Sequence, residues 1–191
     1  MKFFVLLLAS ALLYPIYVVY AQLKGERGRP NATPAQWGAA YEDVTYTARD
    51  GIKLKGWWIP VKESRKAVLL LHSKGGSRNG VYTGIFELAK WYHARGYNVL
   101  LPDLRAHGES GGTIVYFGLK EHEDMVGWVE AIDPDRRLEW VLHGFSMGAA
   151  TALMMKQKRP KRFAYVVADA PWIDFEKLVK QELWNRSLIH I

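Results

Sequence analysis

From residue 41 onward the apolar positions switch between two periods. Residues 43–48 and 53–60 read as an antiparallel strand pair turned by Arg49-Asp50-Gly51. Four short apolar runs follow, at 67–71, 98–101, 138–142 and 163–168, and each is too short and too uniformly apolar to be a surface helix. Between them lie stretches of helical character at 82–95, 119–132 and 147–158, and after the last run a further one at 174–184, where Phe175, Leu178, Val179 and Leu183 fall near one face. Strands that are apolar on both sides and alternate with helices predict an α/β fold, a mostly parallel sheet with helices on both faces. No internal repeat is visible.

The front of the chain follows other rules. After Lys2, residues 3–21 carry no charge and are long enough to span a bilayer as a helix, with Pro15 placed to kink it. Val19-Tyr20-Ala21 also offers a possible cleavage site, so residues 1–22 are expected to be a single-pass membrane anchor or, alternatively, the signal peptide of a secreted or periplasmic protein. Residues 23–40, rich in Gly, Pro and charge, read as a linker to a domain at 41–191.

Charge narrows the list of partners. The chain holds 26 Lys and Arg against 19 Asp and Glu, a formal net charge of +7, with Lys156, Lys158, Arg159, Lys161 and Arg162 grouped around Pro160. That group sits at the expected end of a helix, where cations complement the dipole and stay solvated, so no nucleic-acid partner is expected. Zero cysteines exclude disulfides and thiol catalysis. Glu121, His122, Glu123 and Asp124 are adjacent on a helix and so point in different directions; they are expected to be solvated or to anchor a loop, with no metal or cofactor.

The chemistry concentrates at Gly144-Phe145-Ser146-Met147-Gly148, between the apolar run ending at Leu142 and the helical stretch starting at Met147. A strand that turns abruptly into a helix forces the central serine into a strained backbone conformation, and only small flanking residues leave room for it. Ser146 is therefore the candidate nucleophile, with the first amides of the new helix aimed at a developing oxyanion. Two more strand-to-loop junctions precede it, at His72-Ser73-Lys74-Gly75-Gly76-Ser77 and at Asp103-Leu104-Arg105-Ala106-His107-Gly108.

With these junctions in this order, the chain resembles the α/β-hydrolase superfamily, in particular its bacterial membrane-anchored or secreted serine hydrolases of the serine aminopeptidase-like and esterase/lipase-like groups. The resemblance runs over residues 41–183 and rests most on 103–112, on Gly118, Glu121 and Asp124, and on 143–150. It implies an acyl-enzyme at Ser146, formed from an ester, thioester or amide, with the backbone amides of Met147 and Lys74 as oxyanion hole. The substrate is then a small-molecule, lipid or peptide acyl compound. In the first loop a serine, Ser73, stands where the family has glycine, so φ there must be one a side chain tolerates.

The family order is Ser, then acid, then His, on strands that would follow the sixth. Only His190 of the six histidines comes after Ser146. The resemblance thus places the acid and base beyond Ile191 and implies a truncated, weakly active or inactive form. The alternative is a non-catalytic, membrane-attached binding or scaffold protein on the same fold. Within the chain, His107 is a candidate base or a turn-stabilising partner of Asp103 and Arg105. His72 and His143 are expected to be bonded to backbone, and Asp169 to cap the loop after its strand.

Overall fold

The protein's structure, a computed structural model, describes residues 2–80 and 83–171, with side chains in the first helix described from Leu13 on. The helix expected at 174–184, and His190, lie outside the described residues. Six strands form one sheet: β1 (Glu42–Thr47), β2 (Lys53–Ile59), β3 (Lys66–Leu71), β4 (Asn98–Pro102), β5 (Glu139–Phe145) and β6 (Phe163–Asp169), in the order β1-β2-β4-β3-β5-β6. β1 and β2 run antiparallel to their neighbours, and β4, β3, β5 and β6 are mutually parallel. Gly51, at φ 81°, makes the expected turn between the first two, with its amide donating to the Ala48 carbonyl at 2.9 Å.

The apolar runs are strands because both of their faces are buried. In β3, Ala67, Leu69 and Leu71 face one core with Leu100 of β4 and Trp140 and Leu142 of β5, while Val68 and Leu70 face another with Val99 and Leu101. Helices α3 (Glu121–Ile132) and α4 (Met147–Lys158) cover the first core. Helix α2 (Ile85–His93) covers the second through Ile85, Ala89 and Tyr92. It starts later than the sequence pattern predicts, immediately after Gly84, whose φ of 62° is left-handed. β5 is longer than predicted: its ladder to β3 runs on to Leu71 opposite Gly144, which carries the strand up to the serine.

Helix α1 spans Lys2–Leu23 with Pro15 inside it. Of its described side chains, Leu13, Tyr14, Ile16, Tyr17, Val19 and Tyr20 are exposed and Val18 is buried. Among the residues whose side chains are described, which in α1 begin at Leu13, no helix is long and apolar enough to cross a membrane.

The segment after α1 differs from the linker its composition suggests. Lys24 bridges to Ile114 and Arg27 to Gly108, and the Gly108 amide donates to the Glu26 carbonyl at 3.0 Å. The Arg27 guanidinium also donates to the Gly112 carbonyl. Residues 24–31 are thus a strap tied to the loop after β4 by main-chain bonds, which Gly, Pro and charge content do not reveal. Beyond it, the short 3-10 helix Pro34–Trp37 sets the Trp37 ring 4.5 Å from Phe86, joining the second core.

Candidate active site

Ser146 lies at the carboxyl end of β5, and α4 begins at the next residue. Its backbone has φ 51° and ψ −110°, a region closed to most residues bearing a Cβ and costing roughly 1–3 kcal/mol. The surroundings hold it there. Its amide donates to the Asp169 carbonyl at 2.8 Å, and its carbonyl accepts from the Ala150 amide at 3.0 Å. A Cβ on Gly144 would overlap the Gly148 carbonyl, and one on Gly148 would overlap the Leu71 carbonyl. The two glycines therefore let the first turn of α4 press against the ends of β5 and β3.

This packing brings the loop after β3 beside the turn. The Gly76 amide donates to the Ser73 carbonyl at 3.0 Å, and Gly75 carries the positive φ, 74°, that the tight turn requires. Ser73 and Lys74 are not among the residues with positive φ, so the serine in the family's glycine position is unstrained. Among the described residues the amides of Lys74 and Met147 donate to no backbone carbonyl. Ser146 itself is only partly buried.

Five of the six histidines are described, and their ring partners lie away from the serine. His72, fully buried, accepts the Leu104 amide on Nε2 at 2.9 Å, and its Nδ1 lies 2.7 Å from the Ser73 carbonyl. His107 accepts the Gly75 amide on Nε2 at 3.1 Å, with Nδ1 2.9 Å from the Arg105 carbonyl. An amide only donates, so both rings carry their proton on Nδ1 and are neutral. Burial pushes both pKa values down to about 4; for His107 the neighbouring His72 adds to the effect. With both nitrogens engaged, His107 is a clip between two loops rather than a base, and its partner is the Arg105 carbonyl, not Asp103.

His143 is bonded to a side chain, contrary to the expectation of a backbone partner: its Nδ1 lies 3.1 Å from the Tyr92 hydroxyl. Burial lowers its pKa, and Asp169 works in the opposite direction. Asp169 contributes its carbonyl to the Ser146 amide, and the loop it was expected to cap runs into residues outside the described ones. His93 and His122 lie against the carbonyls of Pro60 and Gly118.

The acidic residues around this face are structural. Asp103, fully buried, accepts from the Arg78 amide and guanidinium, each at 2.7 Å, and from the Glu109 amide at 2.9 Å. Burial raises its pKa, and Arg78 opposes the rise. Arg78 went unnoticed in the sequence, where a lone arginine in a polar loop gives no signal; its guanidinium also stacks 4.6 Å from the Trp57 ring. Arg105 holds Asp124 at 2.7 Å and Asp50 at 3.0 Å, joining the loop after β4 to α3 and to the β1–β2 turn. Glu121 is buried, not solvated, and accepts the amides of Tyr116 and Gly118 at 2.8 Å each. It is the loop anchor the helix position suggested. Among the described residues no group of His, Cys, Asp or Glu could hold a metal ion.

A strained serine between a parallel strand and a helix, on a sheet of this order, defines a class of protein. Residues 66–187 match the family described as alpha/beta hydrolase fold, and the chain belongs to that family. It is 35% identical to the Pyrococcus furiosus esterase Pf2001, with a TM-score of 0.72 over 81% of this chain and 60% of the esterase. It is 28% identical to the uncharacterized protein YfhR of Escherichia coli O157:H7, over 78% of this chain and 52% of YfhR. It is 30% identical to the polyketide transferase ATR5 of Stachybotrys chlorohalonatus, over 70% of this chain and 46% of the transferase. The chain thus spans about half the length of the curated relatives it matches.

Proposed function

We propose that the protein is a serine hydrolase acting through an acyl-enzyme at Ser146. The Ser146 hydroxyl attacks the carbonyl carbon of an ester, thioester or amide, its proton passing to a general base. The oxygen that gains the negative charge is held by the amides of Met147 and Lys74. Collapse expels the alcohol, thiol or amine with a proton, and water then releases the acid and regenerates the serine. The acid and base are assigned to sequence outside the described residues, since the five described histidines are bonded elsewhere. One observation carries the reading: the φ 51°, ψ −110° backbone of Ser146, a strained conformation kept at the point where strand turns to helix. The esterase Pf2001 among the similar structures favours an ester over an amide.

A fluorophosphonate probe tests the assignment in the full gene product. Labelling that disappears in Ser146→Ala, together with loss of ester hydrolysis, is the expected result. A folded protein with neither labelling nor turnover would instead support the non-catalytic binding or scaffold reading.

The membrane reading has its own support. Three exposed tyrosines, Tyr14, Tyr17 and Tyr20, mark the end of α1, and Lys24, Arg27 and Arg29 follow it. Aromatic and basic residues in this order suit a membrane interface. We assign residues 3–21 to a bilayer, and the uncleaved chain should stay in the membrane pellet after an alkaline wash. Release of a product beginning at Gln22 would assign it to secretion.

A further inference from the structure

The strap and the loop after β3 line a half-open cavity of about 470 Å³ that includes Lys74 of the proposed oxyanion hole. Arg29 and Asn31 form its strap side, and Ser73, Lys74 and Gly76 its loop side, with Asn79 between them. The wall is built rather than incidental: Asn79, buried, donates from Nδ2 to Asn31 Oδ1 at 2.8 Å and receives the Ser77 hydroxyl on Oδ1 at 3.1 Å. Close approach of Gly75 to the Glu26 carboxylate seats the strap on the same loop.

Among the described residues two cationic ones and no acidic one line this cavity, the Glu26 carboxylate lying against Gly75 at its edge. Three arginines with buried side chains among the described residues show the contrast: Arg78 pairs with Asp103, Arg105 with Asp124 and Arg162 with Asp133. Among the described residues Arg29 and Lys74 have no such partner, and Glu26, which rests against Gly75, forms an ion pair with neither. Lys74 also connects the cavity to the chemistry, because the residue that lines the cavity carries the backbone amide proposed as an oxyanion donor. An acyl compound whose carbonyl is held at that amide can thus place a second group in the cavity.

We infer that this cavity is a subsite for an anionic group, carboxylate or phosphate, on the acyl compound that Ser146 attacks, with Arg29 and Lys74 as its specificity-determining residues. The inference rests on the serine-hydrolase reading. Arg29 is exposed and Lys74 half-buried, so their joint attraction for an anion is one that salt weakens, and the planar guanidinium of Arg29 matches either oxyanion with paired donors. The N-terminal segment is then part of the substrate site as well as a tether.

The test compares two nitrophenyl esters of similar length in the full gene product, the neutral butyrate and the glutarate monoester with its free carboxylate. The charged ester should have the higher kcat/KM, and the charged-to-neutral ratio should fall about tenfold in Arg29→Gln and in Lys74→Met, and with added salt. Lys62→Gln, on the exposed turn before β3, should keep the wild-type ratio. A ratio that favours the neutral ester, or one that neither Arg29→Gln nor Lys74→Met changes, overturns the subsite while leaving the hydrolase intact. If neither ester is cleaved in a Ser146-dependent way, the hydrolase reading fails, and titration of Ser146→Ala with glutarate and with inorganic phosphate decides the subsite. Saturable binding lost in Arg29→Gln upholds it, and tighter binding of phosphate or of glutarate identifies which oxyanion the ester carries. No saturable binding of either overturns it.

Discussion

The Gly75 amide donates to Nε2 of His107 at 3.1 Å, and that bond ties the loop carrying Lys74 to the loop after β4. His72 makes a second tie by accepting the Leu104 amide at 2.9 Å, and the two rings lie 5.0 Å apart, tilted by 63°. Both bonds need an unprotonated nitrogen. The shape of the proposed oxyanion loop thus depends on two imidazoles that cannot take up a proton without releasing an amide.

Stability should consequently fall in mild acid. Both histidines have folded-state pKa values of about 4 against 6.5 for a free imidazole, because burial disfavours the charged form. Between these values the unfolded chain binds more protons than the folded one, so stability drops as pH falls below 6.5, and the loss is complete below about 4. The buried carboxylates Asp103, Glu121 and Asp124, whose pKa values burial raises, act in the opposite direction between those raised values and the free ones, 3.8 for aspartate and 4.5 for glutamate, and so oppose the histidines within the same acid range. The difference between variants isolates the histidines. His107→Gln keeps an acceptor for Gly75 but cannot be protonated, and its thermal midpoint should fall less between pH 7 and pH 5 than that of the wild type. Parallel pH profiles would refute the clip.

Gly148→Ala should be among the most damaging small substitutions in the chain. The added methyl group would meet the backbone of Leu71 and His72 rather than a flexible side chain, so strand or helix must shift. Overpacking against main chain costs about 1–3 kcal/mol or more. Urea denaturation should show that loss, and fluorophosphonate labelling of the surviving folded fraction should drop as Met147 moves. Alanine at Gly28, where nothing lies within 4 Å, should change stability by less than about 0.5 kcal/mol.

The parts of this molecule that could be read from sequence are those governed by local periodicity. Six strands emerged because Val68, Leu69 and Leu70 sit in an unbroken apolar run, and sheets covered on both sides demand such runs. Gly144 and Gly148 announced the turn at Ser146 because no other residue leaves space there. Arg78 and residues 24–31 stayed hidden for the opposite reason: their contacts reach Asp103, Glu109, Gly108 and Thr113, far away in sequence, and nothing local encodes them. The partner of His143 is hidden for the same reason: the Tyr92 hydroxyl comes from a helix 51 residues earlier.

The strap should be separable from the fold. Its bonds to the loop after β4 are main-chain bonds and the Arg27 guanidinium on the Gly112 carbonyl, with Asn79 to the exposed Asn31 as the tie to the loop after β3. Asn79→Ala removes that tie and should cost about 1 kcal/mol, the loss of one hydrogen bond whose exposed partner, Asn31, turns to water. Limited proteolysis is the sharper measurement: cleavage within residues 24–31 should accelerate while the domain from residue 41 stays resistant. Equal acceleration across both regions would mean that Asn79 holds the domain rather than the strap.

The end of the described sheet depends on one buried ion pair. Arg162, just before β6, places Nη2 2.6 Å from Asp133 Oδ2, with both side chains almost completely buried. Asp133 also accepts the Arg137 and Leu138 amides and the Trp140 indole N–H, so one carboxylate joins the end of α3 to the starts of β5 and β6. Burial alone would raise its pKa; Arg162 and these donors more than offset that and hold it below the usual carboxylate range. Asp133→Ala strands a buried guanidinium and should cost about 3–5 kcal/mol. Arg162→Met, which removes the charge and keeps much of the side-chain volume, should cost less, and the double variant should be more stable than Asp133→Ala alone. Urea denaturation of the four proteins closes the cycle, and simple additivity of the two losses would show that the pair does not couple.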